Sequence, residues 1–378
     1  MRHVALILFT SLFLTVELLA QDKQPDLSAM NQRIAILYQQ GKFDDAIPIA
    51  EKVVSAEKKV AKNSDAYALA LANLAQLYKE KAKSIRSNLG KFEPKNRFGA
   101  LQASRDSAEK AKKYYREALN VQRSLNNEES VAAASSKTEL AWIVYNFLVT
   151  DSIRESRAQI DEAEKLYAEA LVTEDKLSPA STDIELKTLQ DYADFYMKYV
   201  NFEKALPLYE KYLTVAETKY GPKSRQSIPA LRGLVNIYSF TARDNEARAI
   251  LDQISGVTGK PENLEVKYLA LTARSRGIAK VKADGFNDID LTDLDRSFSA
   301  SSARANQIVP PNQYKIKTLE VNILVSESGD VIEAKAAGDS KYDKQVEEAA
   351  MASKFRPFVY NGTAQKLRGK VVFSYREF

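Results

Sequence analysis

The sequence predicts an α+β protein, a long all-α region followed by a small sheet with one helix. Three observations carry that prediction. From Leu27 to about Gly256, apolar residues recur every three or four positions, the period of an α-helix. Within that stretch one phrase of residues returns, the mark of a stacked repeat array. From Leu319 the period drops to two, the alternation of a half-buried strand.

The chain has 378 residues, 45% hydrophobic and 28% charged, which is material for two or three domains with real cores. A net charge of +5 is slight for this length and predicts no nucleic-acid partner. There is no cysteine, so disulfides, thiolate metal sites and thiol nucleophiles are all excluded. The single histidine is His3.

Met1-Arg2-His3 is a short basic start, and Val4 to Val16 is apolar apart from Thr and Ser. Leu18-Leu19-Ala20 then meets the polar Gln21-Asp22-Lys23. This order describes a secretory leader, residues 1–20, cut after Ala20. The alternative is an uncleaved anchor, although a spanning helix needs about 20 apolar residues and Glu17 interrupts this run. Cleavage removes His3, and triads with histidine and imidazole zinc sites go with it. Export without disulfides fits a bacterial periplasm; an uncleaved start would leave the protein anchored in the inner membrane.

The array is expected over residues 27–256. Its phrase reads Phe43-Asp44-Asp45-Ala46 with Ala50 and Val53; Ala111, Tyr115 and Ala118; Ala163, Tyr167 and Ala170. It continues as Ala205, Tyr209 and Tyr212, and as Ala247, Leu251 and Ile254. An apolar helix precedes most of these, marked by Leu71 and Leu74, Leu140, Leu189, and Leu231 and Leu234. Small residues at fixed places let helices approach closely, and aromatics fill the space between pairs. The pattern resembles the tetratricopeptide repeat, best in the unit from Leu189 to Tyr212. The second unit carries an insertion, Lys79 to Asp106, rich in Lys, Arg and Asn.

Such arrays bind partners in a groove lined by their first helices. The repeat frame puts Gln76, Trp142, Tyr145, Asn146, Asp194, Lys198 and Asn236 on that inner surface. Trp142 is the only tryptophan, a residue type favoured at binding hot spots, and its other reading is a cap on the repeat core.

Residues 257–307 read as a connector, with five aspartates between Ala283 and Asp295 and a short strand near Gly277 to Val281. Residues 308–378 form the last domain. Leu319 to Val325 is a strand, Ser328-Gly329-Asp330 a turn and Val331 to Ala337 a second strand. Lys341 to Lys354 is an amphipathic helix, and Lys366 to Tyr375 closes the sheet. With Lys354-Phe355-Arg356-Pro357, Asn361-Gly362 and Val371-Val372-Phe373-Ser374-Tyr375, this β-β-α-β order resembles the carboxy-terminal domain of the TonB family.

That resemblance implies capture of an extended segment, from an outer-membrane transporter, as an added strand. The expected edge is the closing strand, with Lys366, Arg368, Lys370, Val372 and Tyr375 as contacts. Its charges also read as protection against aggregation. The expected role is therefore a periplasmic adaptor with no enzymatic activity, binding proteins in the groove and by strand addition. The alternative is a TonB-type energy transducer whose start stays uncleaved.

No chemistry-bearing motif survives inspection. Asp288-x-Asp290-x-Thr292 lacks the Gly and Glu of a calcium loop, with Asp293 and Ser299 in their places. Ser55-x-x-Lys58 and Ser107-x-x-Lys110 stand without the accompanying Lys-Thr-Gly. No cofactor, metal or small-molecule substrate is expected.

Overall fold

The computed structural model describes residues 26–149, 153–177, 182–271, 315–340, 342–352, 355, 357–360 and 362–377. The expected leader, most of the connector with its aspartates and its strand near Gly277, and Asn361 lie outside them. The chain divides into two compact units, residues 1–191 and 192–378. Among the described residues no helix is long and apolar enough to cross a membrane.

Among the described residues the first unit holds three helical hairpins. Helix α1 (Leu27–Gln39) packs on α2 (Phe43–Val60), α3 (Asp65–Ser87) on α4 (Pro94–Ser124), and α5 (Val131–Ile143) on α6 (Ile153–Leu177). Short polar side chains start the first helix of each pair. Asp26 accepts the Ala29 amide at 3.0 Å, Ser64 that of Tyr67 at 3.1 Å and Ser130 that of Ala133 at 3.1 Å. The recurring phrase is the packing code. Ala46, Ala111, Ala118, Ala163, Tyr167 and Ala170 all have zero fractional exposure, which is why no larger residue occupies the small positions.

The insertion is largely helical. It lengthens both arms of the second hairpin, with a 3-10 turn at Leu89–Lys91 and Pro94 opening α4. The arms close on small residues: Ala82 and Ala100 are buried, and Ser104 Oγ donates to the Ala82 carbonyl at 2.9 Å. Helix α5 ends in a π-helical turn, Val144–Leu148, which shifts the face presented after Trp142.

Helix α7 (Thr182–Lys198) runs across the boundary between units. The second unit continues with α8 (Phe202–Tyr220), α9 (Ile228–Phe240) and α10 (Asp244–Thr258). Gly233 faces the Tyr209 ring so closely that any Cβ would overlap it, so this small position accepts glycine alone.

A four-stranded sheet follows, in the order β1-β6-β2-β3. Its strands are β1 (Leu269–Leu271), β2 (Lys315–Val325), β3 (Val331–Ala336) and β6 (Leu367–Glu377). A separate hairpin pairs β4 (Phe358–Tyr360) with β5 (Thr363–Gln365). Helix α11 (Asp343–Met351) lies between β3 and β4 in sequence, so the fold class is the expected one. Alternation assigns one face: Val321, Ile323, Val325, Val331, Val371 and Phe373 form a core with Val346, Ala350 and Phe355.

Gly329 makes the turn after β2 with φ +86°, and a Cβ there would collide with the Phe355 carbonyl. The Phe355 amide donates to the Gly329 carbonyl at 2.7 Å, tying the turn to the chain after α11. The opposite face rests on the last helices. Arg368 on β6 donates to both carboxylate oxygens of Asp244 at 2.7 and 3.0 Å and to the Ser239 carbonyl at 2.9 Å. Phe358 meets the edge of Phe202 with ring centroids 5.7 Å apart.

Candidate functional site

An open cleft carrying predicted binding residues lies in the first unit, between the end of α3 and the π-helical turn after α5. Its volume is about 580 Å³, and Lys83, Arg86, Trp142, Asn146 and Phe147 line it together with Glu80, which pairs with Lys83 at 3.2 Å. Trp142 is half-buried, its ring tilted against Phe147 at 5.7 Å between centroids. Lys79 and Lys83 hold their ammonium groups 5.4 and 5.5 Å from the centroid of the Trp142 ring. Arg86 covers Phe147 at 4.9 Å and donates to the Asn146 backbone carbonyl. Asn146 Nδ2 donates in turn to the Trp142 carbonyl at 3.0 Å, so the π turn is held by its own side chain.

Beneath the cleft is a buried polar network. Glu139 pairs with Lys79, and with Lys187 at 3.3 Å; Lys187 also pairs with Asp191. Burial alone would raise the Glu139 carboxyl, but Lys187 and Lys79 pull it down to about 2. Lys187 is raised: burial opposes its charge, and the carboxylates of Asp191 and Glu139 outweigh that. Gln76 donates to Tyr38 Oη at 3.3 Å and to Glu80 at 3.2 Å, and accepts from Tyr115 Oη at 2.8 Å. Burial, offset in part by the Gln76 hydrogen bond, pushes the Tyr38 hydroxyl up to about 12. These groups fix α3 against its neighbours, and they leave Lys83 and Arg86 exposed at the rim.

Of the seven predicted groove residues, Trp142 and Asn146 meet in this cleft. Gln76 belongs to the network rather than to the lining, and Tyr145 is packed inside at 7% exposure. Asp194, Lys198 and Asn236 belong to the second unit, where Asp194 is exposed and accepts the Tyr209 hydroxyl at 2.5 Å. Sequence reasoning missed Lys83, Arg86 and Phe147. The signal was present: Lys79, Lys83 and Arg86 are four and three residues apart, one stripe of a helix.

The expected edge strand requires correction. β6 is interior, paired antiparallel with β2 along its whole length and parallel with β1 at Gly369, Lys370 and Val371. Arg368 is spent on Asp244, and Lys370 pairs with Glu320 at 2.8 Å. Lys366 precedes the strand, Val372 is half-buried and Tyr375 lies opposite Lys317 in the register. At Gly369 to Val371 the strand is flanked on both sides and has no free ladder to offer, whereas the pairing with β1 does not extend to Val372 or Tyr375.

Among the described residues the two outer strands of the sheet are β1 and β3. The Ala337 amide donates inward to the Glu320 carbonyl, so in the regular part of the ladder the amides of Ala334 and Ala336 point out, and Glu347 caps that of Ala336 at 2.8 Å.

Among the described residues no group of three or more His, Asp or Glu side chains could hold a metal ion. Hairpins built on small-residue seams, with an aromatic cleft lined by charged side chains between them, define a helical-repeat fold. No protein-family model matches the chain, and no curated protein matches it. The chain is similar to the crystal structure of kinesin light chain TPR-like repeats described from Podosopora anserina, at 16% identity over 63% of this chain and 98% of that one, with a TM-score of 0.42. The crystal structure of a point variant of that protein gives 16% identity over 64% and 98%, with a TM-score of 0.43. BtubC (BKLC) from P. vanneervenii gives 16% over 66% and 98%, with a TM-score of 0.35.

Proposed function

We propose that the chain is a protein-interaction scaffold of the bacterial cell envelope, with a partner seated in the cleft between α3 and the π turn. The carrying observation is a half-buried Trp142 beneath two ammonium groups in a cavity rimmed by Lys83 and Arg86. Trp and Arg dominate interface energies once a partner excludes water from them. A segment presenting a carboxylate beside an apolar side chain complements both halves, the cations taking the acid and the rings of Trp142 and Phe147 taking the rest. The leader-like residues 1–20 support export, and the likeness of the last domain to the TonB family supports an outer-membrane protein as partner class.

The test is quantitative co-purification from envelope extracts with the wild type, Trp142→Ala and Lys83→Glu. The expected result is one shared set of partners lost in both variants while helicity and thermal midpoint stay near wild type. Retention of every partner in both variants would refute the cleft as the seat. The mass of the extracted protein checks location separately: a start at Gln21 is expected.

A further inference from the structure

We propose that the tip of the α3–α4 hairpin docks on an anionic membrane surface. Lys83 and Arg86 are shared with the rim of the cleft; the apolar tip and the other five basic side chains are not. Residues 81 to 105 contain seven basic side chains and one acidic, Glu93, an excess of six. The whole chain carries +5, so everything outside this hairpin is on balance slightly acidic. The positive charge of the protein is therefore a local feature, concentrated on one projection.

That projection is also where apolar side chains are left in water. Every residue from Lys91 to Gly99 is exposed. Phe98 is 80% exposed, Leu101 43% and Phe92 37%. Phe98 and Leu101 are three apart on α4 and share a face, with Phe92 in the turn just before the helix. A single exposed apolar residue is ordinary, but three at one apex above a basic collar are not.

The vertical order of these groups decides between partners. Arg105 lies seven residues below Phe98, about 10 Å along the helix axis. An apolar face enters the headgroup and acyl boundary by roughly 5–10 Å, which would bring Arg105 to the phosphates. An acidic protein or a nucleic acid would take the collar and leave Phe98 without a purpose. Lys81 pairs with Asp44, Lys83 with Glu80 at 3.2 Å and Lys95 with Glu93 at 3.0 Å, but Lys91 and Arg105 make no ion pair among the described residues. Arg97 Nε donates to the Phe92 carbonyl at 3.2 Å, holding the aromatic turn against the start of α4. Because the arms are already closed at Ala82, Ala100 and Ser104, docking needs no folding step.

The chain contains no cysteine, so one introduced thiol reports one place. Asn96→Cys in the full-length protein, labelled with a polarity-sensitive fluorophore, is titrated with vesicles of phosphatidylcholine containing one-third phosphatidylglycerol. Lys58→Cys, exposed at the end of α2, is the control position. The expected result is a blue shift at position 96, absent with pure phosphatidylcholine and absent at position 58. Adding Phe98→Ala should weaken the titration about tenfold, and Lys91→Ala or Arg105→Ala about fivefold each. Overturning results are no shift at position 96, an equal shift with neutral vesicles, an equal shift at position 58, or indifference to all three substitutions. An equal shift with a single-stranded oligonucleotide would also overturn the proposal and mark the tip as a general polyanion site.

Discussion

Arg368 and Asp244 fasten the sheet to the last helical hairpin, and a double-mutant cycle measures that fastening. Their side chains are 14% and 32% exposed, between a surface pair and a buried one. Exposed pairs contribute about 0.2–1 kcal/mol, whereas breaking a buried pair costs roughly 3–5 kcal/mol. Arg368→Met removes two bonds to the carboxylate and one to the Ser239 carbonyl, but Asp244 keeps enough access to rehydrate. The expected loss is about 2 kcal/mol, a value set between those limits. Asp244→Asn should cost about 1.5 kcal/mol, part of it the charge favoured in the first turn of α10.

The dipole contribution cancels in the cycle, leaving a coupling of about 1 kcal/mol. Asp244 is held below the usual carboxylate range by the Arg368 hydrogen bond, against burial. Its stabilisation is thus complete above the unfolded carboxylate range and disappears as pH falls through the lowered folded value. The assay is amide hydrogen exchange by mass spectrometry on peptides from β6 and α10, since a two-unit chain gives no single unfolding energy. A 2 kcal/mol loss speeds exchange of β6 by about thirtyfold if opening is limited by this contact. Coupling below about 0.3 kcal/mol, or unchanged exchange in Arg368→Met, would refute a fastened sheet.

Three further expectations rest on named contacts. Glu139 is depressed to about 2, so its contribution is present above roughly pH 4.5, is lost as pH falls towards 2, and amounts to about 3 kcal/mol. Melts of the first unit followed by Trp142 fluorescence should show this acid slope in the wild type and not in Glu139→Gln; identical slopes count against the network. Gly329→Ala must place a Cβ on the Phe355 carbonyl at φ +86°, so exchange across β2 and β3 should rise by the equivalent of about 3 kcal/mol. Val200 is a β-branched residue at φ +57° between α7 and α8; Val200→Gly should raise the stability of the second unit by about 1 kcal/mol in urea melts, and a loss would mean its side-chain packing outweighs the strain.

The fold was legible where a residue has one packing role. An alanine that must admit another helix cannot be anything larger, so Ala111, Ala163, Ala205 and Ala247 announced the hairpins and are all fully buried. Gly329-Asp330 announced its turn for the same reason, because that backbone excludes side chains. The cleft was half legible. Trp142 stands out by its rarity, but the rim depends on the π turn at Val144–Leu148, which takes Asn146 and Phe147 off the helical period. No residue type marks such a turn in sequence. The insertion hid a second feature. Its apolar residues are few and its charges many, so composition alone assigns it no element, whereas Ala82, Ala100 and Ser104 show two helices closing on small side chains.

The error over β6 has a physical cause. A strand carrying Arg368 and Lys370 on alternate positions looks like an edge kept soluble by charge. The same pattern serves an interior strand when the face opposite the core is covered by polar partners instead of water. Here the odd-numbered residues of β2 and β6 meet α11, and on the even face Arg368 meets Asp244, Lys370 meets Glu320 and Leu324 is buried. Arg368 and Asp244 stand 124 residues apart, so only the fold could show that the charge was already answered within the chain. A sheet engaged on both faces, with β1 along its closing strand, is a fixed part of the second unit. Recognition of an extended partner segment at Gly369 to Val371 of β6 would require removing β1 first, whereas β3 still presents the outward amide of Ala334.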